Sequence, residues 1–387
     1  MLKVDLIYSS WKKAPNGASH FVGRMEEMKN LFLQNGVDLR VITPDLFNPR
    51  QFDSSKAKPK LSGRIAYWLA KHSIVFTRLV IYLTSEKLAK QVVDYYVSLP
   101  DKGDVLAFQE TTVCYYYLKK YKYLNKKVLL TIHSNGDLWK MWYYRLPKLK
   151  SKIFTAYRNR VENVLFKGCD KIGFVADYPR RYFCEHYPFD ANKTYFAYTS
   201  IESKEEPPTM IVGEKVRFIT SGTLSDRKNQ MGVLNAIGLL SPDYQKKISY
   251  TLLSDGEARE ALKAKAETLD AEIIFTGKVD NVEDYLKQAN CFILYSKDEG
   301  QPMSIVEAMR EGLPIIGSNI AGIPEQIVEE VTGFVVDLDE RELAKKLRLI
   351  VDNKDKLPAM GRASYELFMQ KFTIDAMVRK YADIYKS

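Results

Sequence analysis

Several classes of protein are excluded by what this sequence does not contain. Its four cysteines, Cys114, Cys169, Cys184 and Cys291, show neither metal-ligand spacing nor the density of a disulfide framework. A zinc module and a disulfide-stapled secreted domain are therefore excluded, and a reduced, cytosolic protein is expected. No window reaches the roughly 18 uncharged apolar residues of a membrane-spanning helix. The nearest run, from Ile74 to Leu83, is interrupted by Arg78. The N-terminal MLKVDLIYSSWKKAP enters a strand-like run at once and lacks the apolar length of a signal peptide, so no leader is expected. Short-period repeats and low-complexity tracts are absent as well.

The 387 residues are 46% hydrophobic and 27% charged, ordinary for a globular protein and enough for two domains with separate cores. Charge is not shared evenly. Residues 1–200 carry 33 Lys and Arg against 17 Asp and Glu, a net +16, whereas residues 201–387 carry 25 against 31, a net −6. An anionic surface or polymer is the expected partner of the first half. Two segments there, 56–91 and 139–167, mix Trp, Tyr, Phe and Leu with many Lys and Arg. That is the composition of helices lying on an anionic membrane surface, although ordinary amphipathic helices share it.

Strand-like and helix-like runs alternate along the chain. LKVDLIY (2–8) predicts a first strand, followed by a loop with Asn16-Gly17-Ala18-Ser19, an amphipathic helix from Phe21 to Gln34 and a strand from Asp38 to Thr43. This βαβ unit puts Gly17 at the ligand-binding edge of a parallel sheet, where a glycine lets backbone approach a ligand. Further strands are predicted at 104–109, 128–132, 171–175 and 193–197, and the second of these runs into His133-Ser134-Asn135-Gly136-Asp137. The charged, Pro-rich 202–213 is the candidate linker. The alternation then restarts, with strands at 216–220, 248–253, 273–276 and 291–295. Two doubly wound domains follow, 1–202 and 203–373, with a closing helix at 374–387.

The stretch from Tyr295 to Asp337 carries the most chemistry. It predicts an acidic loop, a short helix, a buried strand, a glycine turn, a second helix and a last strand. Glu299 stands in the loop and Glu307 in the helix, with seven residues between them. Pro302 suits the first turn and Gly312 the left-handed cap. The amides of Gly300, Gln301, Met303 and Ser304 would be open at a helix N-terminus, ready for an anion. Carboxylates beside an anion site suit a ligand with both phosphate and hydroxyl groups, such as a nucleotide sugar. Arg227 and Lys228, in the loop after the first strand of the second half, are cations placed to meet a diphosphate.

EGQPMSIVEAM, with the GLPIIGS, GIPEQI and TGFVVD segments after it and TSGTLSDRKNQ, LLSDGE, FTGKV and QANCFILYS before it, resembles the retaining GT-B glycosyltransferases of glycosyltransferase family 4. The first half matches through its βαβ unit, LTIHSNGD and CDKIGFVADYPRRYF. The resemblance implies an α/β GT-B fold, with two Rossmann-like domains facing a central cleft and the final helix packing back on the first. It implies that Glu307 binds the ribose hydroxyls and Glu299 the transferred sugar. The Gly300 to Ser304 segment, Pro302 included, would contact sugar or phosphate. Arg227 and Lys228 would neutralise the diphosphate, Gly17 would approach it from the other domain, and backbone at Lys278 and Val279 would meet the base. His133 would touch the donor sugar near the reaction centre.

The same resemblance implies a metal-independent enzyme without cofactor or dedicated protein base, using a UDP-sugar in preference to a GDP-sugar. The charge asymmetry and the two basic–aromatic segments point to a lipid-linked glycan or surface polysaccharide as acceptor, at the cytoplasmic membrane face, with no nucleic-acid partner. A soluble or protein acceptor, a metal-dependent enzyme using Asp337-Leu338-Asp339, and a non-catalytic anion- or membrane-binding protein are the alternatives. Three positions depart from the family pattern. Thr223 replaces a common Arg, Thr199-Ser200 replaces a common Asn-Gly, and Asn16-Gly17 is not the Lys-x-Gly-Gly loop of bacterial glycogen synthases.

Overall fold

The computed structural model describes residues 1–14, 17–49, 61–204, 206 and 208–387. They form two compact units, Met1–Ala197 with Val378–Ser387, and Tyr198–Met377.

The first unit is built on six parallel strands: β1 (Leu2–Ile7), β2 (Val37–Ile42), β3 (Val105–Phe108), β4 (Lys127–Ile132), β5 (Lys171–Phe174) and β6 (Thr194–Phe196). Their order across the sheet is β2-β1-β3-β4-β5-β6, with Val4 opposite both Leu39 and Val105. Helices cover both faces, which is why β3 and most of β4 read as unbroken apolar runs. The N-terminal helix differs from expectation. It already begins at Gly17 (Gly17–Glu27) and breaks at Met28 before Lys29–Gln34. Ser19 is fully buried with Phe21, Val22 and Met25, so burial of that face extends the helix back through Gly17. Gly17 to Ser19 are thus its first turn and not a loop, and Asn16 lies outside the described residues.

The basic–aromatic segments fold as helices Leu61–His72, Ile74–Ile81, Lys87–Ser98, Lys140–Arg145 and Thr155–Gly168; residues 56–60 lie outside the described residues. A π-turn, Tyr82–Glu86, joins the second of these to the third. The first two helices, with Leu146, Leu149 and Phe154, form a small core that includes Ala70 and Ile81, whereas Lys87–Ser98 joins the main core through Ala89, Val92, Val93 and Tyr96. The final helix, Ile374–Lys386, sets Tyr381 against Phe21 and Tyr385 against Phe32, with ring centres 5.8 and 6.3 Å apart.

The second unit repeats the plan with β7 (Val216–Ser221), β8 (Ile248–Leu253), β9 (Glu272–Gly277), β10 (Cys291–Leu294), β11 (Ile315–Ser318) and β12 (Gly333–Val336), ordered β12-β11-β10-β7-β8-β9. An apolar core lies on each face. Glu311, fully buried at the end of the Met303–Arg310 helix, is neutralised by Lys204 and Arg310. Both cations also meet Glu283, whose carboxyl, held first by Lys287 and then by Lys204, is pulled down to about 2. The second helix expected before the last strand is a single 3-10 turn, Pro324–Gln326. Ile327 is already extended, and the Thr332 hydroxyl takes the Val328 amide at 2.8 Å, so the chain turns into β12 and cannot continue as helix.

Candidate active site

In the second sheet β8 lies on one side of β7 and β10 on the other, so the order reverses between β7 and β10. Ligands of open α/β sheets bind beyond the carboxyl ends of the strands at such a reversal. The loop after β7 carries Arg227 and Lys228, and the loop after β10 carries Glu299. Lys228 Nζ lies 2.7 Å and Arg227 Nη1 2.9 Å from Glu299 Oε1, and Arg227 Nη1 also donates to the Asp298 carbonyl at 2.7 Å. Side-chain exposure is 9% for Glu299, 12% for Lys228 and 50% for Arg227, so one carboxylate is enclosed by two cations. The Lys297 amide donates to the Arg227 carbonyl at 2.8 Å and holds the two loops in register. Gly222 has φ +137, and a Cβ there would stand 3.3 Å from Lys228 Cε, so glycine lets the lysine lie along the backbone. Thr223 is exposed and engages through its carbonyl, which accepts from Gln230 Nε2 at 3.2 Å.

The Met303–Arg310 helix starts one residue after Pro302, its N-cap, and ends at Gly312 with φ +65. Gly312 and Leu313 amides close the end on Met309 and Ala308 carbonyls at 2.9 and 3.0 Å. Ile305, Val306, Ala308 and Met309 face the core, which leaves Glu307 half-buried on the remaining side. Of the first-turn amides, that of Ile305 donates to the Pro302 carbonyl at 3.2 Å, those of Met303 and Ser304 precede the first intrahelical acceptor, and the Ser304 hydroxyl is buried without a hydrogen-bond partner. Around Gly300 a Cβ would meet nothing within 4 Å. The Gln301 side chain is tied to Thr199. Its carboxamide accepts from the Thr199 amide at 2.6 Å and donates to the Thr199 carbonyl at 2.9 Å, so its side chain is committed to the backbone. At the end of β9, Gly277 turns with φ +72 and its carbonyl accepts the Ser254 amide at 2.8 Å. Lys278 is exposed there and Val279 packs on the core.

Asp337 and Asp339 have structural tasks. Asp337 Oδ1 accepts from Asn319 at 3.0 Å, and Asp339 Oδ1 caps the Glu340–Asp352 helix through the Arg341 amide at 2.9 Å. Among the described residues, no group of three or more His, Cys, Asp or Glu could hold a metal ion.

In the first sheet the order reverses between β1 and β3. His133 follows β4, and its Nε2 pairs with Gln109 Oε1 at 2.9 Å. Gln109 reaches Thr131, whose hydroxyl meets Tyr195 OH at 2.9 Å, and the Phe21 ring lies 5.0 Å from the imidazole. Burial lowers the His133 pKa to about 4, so the ring is neutral near pH 7. With Nε2 donating to the Gln109 oxygen, Nδ1 is an acceptor. Glu110, after β3, was not singled out from the sequence. Its carboxylate accepts from Ser9, which follows β1, and from Ser85 at 3.3 Å. Burial raises its pKa despite these hydroxyls. Its only sequence signal was Gln109-Glu110 at the end of an apolar strand.

Two parallel six-stranded sheets with flanking helices are the plan of the GT-B fold. Residues 202–367 match the family described as glycosyl transferases group 1, so the second unit carries a domain of that family. The chain is 30% identical over 136 residues to the GalNAc-alpha-(1->4)-GalNAc-alpha-(1->3)-diNAcBac-PP-undecaprenol alpha-1,4-N-acetyl-D-galactosaminyltransferase of Campylobacter jejuni, covering 35% of this chain and 38% of that one. It is 29% identical over 139 residues to the UDP-Gal:alpha-D-GlcNAc-diphosphoundecaprenol alpha-1,3-galactosyltransferase of Escherichia coli, covering 35% and 36%. These matches span little more than a third of each relative's length. Anabaena HepE in complex with UDP has the same fold across 100% of both chains, with a TM-score of 0.67 and 14% identity.

Proposed function

We infer that the protein is a glycosyltransferase that moves a sugar from a UDP-sugar to a lipid-linked glycan or surface polysaccharide, with retention of anomeric configuration and without a metal. The observation that carries this reading is the enclosure of Glu299 by Arg227 and Lys228 at the second sheet's order reversal. A diphosphate leaving group needs such cations as charge develops on it, and one preorganised donor of this kind is worth ~10²–10³ in rate. Glu299 is then released to sugar hydroxyls, Glu307 binds ribose, and the first-turn amides of the Met303–Arg310 helix complete the anion site. Neutral His133 offers a sugar hydroxyl an acceptor without adding charge. UDP is favoured because HepE binds it and the E. coli relative uses UDP-Gal. The undecaprenol-linked substrates named for both relatives favour a lipid-linked acceptor.

No described helix is long and apolar enough to cross a membrane. Contact with an anionic bilayer through the basic first half at the cytoplasmic face is the form of membrane association proposed. Incubation with a panel of nucleotide sugars and lipid-linked glycans tests the whole reading. Transfer from a UDP-sugar that persists in EDTA and leaves the anomeric configuration unchanged is expected; transfer that needs a divalent metal or inverts the centre overturns those parts. Binding to anionic vesicles should weaken as salt rises, and no binding at low salt rejects the membrane contact.

A further inference from the structure

The first unit contains an apolar groove that the site described above does not use. It lies between the Ile74–Ile81 helix with its π-turn and the start of the Thr155–Gly168 helix, and has a volume of about 670 Å³. That is within the ~300–1,000 Å³ of small-molecule sites. Val75, Leu79, Tyr82 and Ile153 line it, and Val75 and Ile153 are 74% and 67% exposed. Leu83 in the π-turn, and Ile65 and Trp68 on the preceding helix, are exposed as well. Large uncovered apolar side chains gathered along a groove mark an interaction site.

The surface is open to solvent, and two features favour a bound molecule with an anionic end. Its one charged wall residue, Arg78, is fixed in place: its guanidinium is 2.9 Å from the buried Glu86 and 5.4 Å from the centre of the Tyr157 ring, while Tyr157 OH donates to Glu86 at 3.1 Å. The π-turn, a form often found at functional sites, ends at Glu86 and carries it into the interior. Tyr157 also lines a small second pocket with Thr111 and Thr112, at the first turn of the helix that follows Glu110. Tyr157 is thus a wall shared by the groove and a small pocket beside the helix that follows Glu110. No carboxylate lines the groove, and exposed Lys152 directly precedes Ile153 in the chain. An apolar trough with cations around it complements a hydrocarbon chain ending in phosphate.

We propose that this groove binds the hydrocarbon chain of the lipid-phosphate acceptor, one molecule at a time, with Arg78 facing its phosphate end. The proposal rests on the lipid-linked acceptor reading and adds a chain-binding site to it. Titration calorimetry of the intact chain, free of detergent, with inorganic phosphate, dimethylallyl, geranyl and farnesyl monophosphate tests it. Each buried methylene adds about fourfold in affinity. Inorganic phosphate and the shortest ester should not bind measurably, and affinity should rise at least ~tenfold from geranyl to farnesyl. Leu79→Glu and Val75→Asp should each abolish the rise, while UDP still shifts the melting temperature of both variants.

Equal affinity along the series, or unchanged affinity in both variants, overturns the proposal. So does binding to anionic vesicles without binding of the monomeric esters, which would make this a membrane-facing surface only. A wild-type dimer that Leu79→Glu turns into a monomer would assign the groove to a second copy and overturn it too. Because no sugar is transferred in the titration, the groove can fail while UDP binding stands, and the reverse result would reject the donor reading alone.

Discussion

The two units share a sheet plan and differ in what stands at its order reversal. In the second, one carboxylate and two cations meet within 2.9 Å. In the first, the groups are neutral or discouraged from ionising: Ser9, Gln109, a His133 lowered to about 4 and a Glu110 whose pKa is raised. Net charge runs the other way, since the first half is the basic one. On the function proposed, long-range attraction to an anionic surface resides in one unit, while the other holds the close-range charge that a departing diphosphate needs. The contrast implies that charge in the second unit acts on turnover and that burial in the first unit acts on protonation.

The largest expected effect that could break this contrast is Lys228→Ala. Transfer should fall ~10²–10³-fold in kcat, measured with saturating donor and acceptor; a loss no greater than that of a surface lysine would remove the site from the second unit. Next is the division between the two glutamates. Glu307→Ala should weaken UDP binding ~10–100-fold, the value of a hydrogen bond to a charged group, whereas Glu299→Ala should lose turnover with UDP affinity nearly unchanged. Equal effects of both substitutions on UDP affinity would merge their roles.

Smaller effects sharpen the contrast in the first unit. Because the folded His133 pKa is below its unfolded value, the unfolded chain binds the proton first as pH falls. Its contribution is complete above about 6.5 and is lost as pH falls toward about 4, some ~1–3 kcal/mol in all. Chemical denaturation across that window should show the loss, and His133→Gln should flatten it. The sign is opposite for Glu110. Its folded pKa is raised, so stability falls as pH rises above the ordinary glutamate range, and Glu110→Gln should remove that fall. A Glu110→Gln variant less stable than the parent at neutral pH would show that the carboxylate is held ionised.

Local features of this site were readable from the sequence, and long-range ones were not. The helix between Pro302 and Gly312 could be read because caps act on adjacent residues, and alternating apolar runs signalled the parallel strands. Arg227 and Lys228 were suspected from their loop. That both reach one oxygen of Glu299 depends on β7 and β10 being neighbours, a pairing across 71 or more residues. Gln109 with His133, and Ser9 and Ser85 with Glu110, are likewise products of topology. That Thr199's backbone takes both ends of the Gln301 carboxamide is visible only in the fold. The 3-10 turn at Pro324 and the early start at Gly17 were misjudged for one reason. Both depend on burial and on partner hydroxyls that local propensity does not encode.

The central claim is that the second unit binds a nucleoside diphosphate at Arg227, Lys228 and the Met303–Arg310 helix. Thermal unfolding of the intact chain with rising UDP, beside Lys228→Ala, tests it most directly. At 100 times its Kd, UDP should stabilise the parent by about 2.7 kcal/mol, with a much smaller shift at the same concentration in the variant. No UDP-dependent shift in the parent, or an identical shift in both, would contradict it.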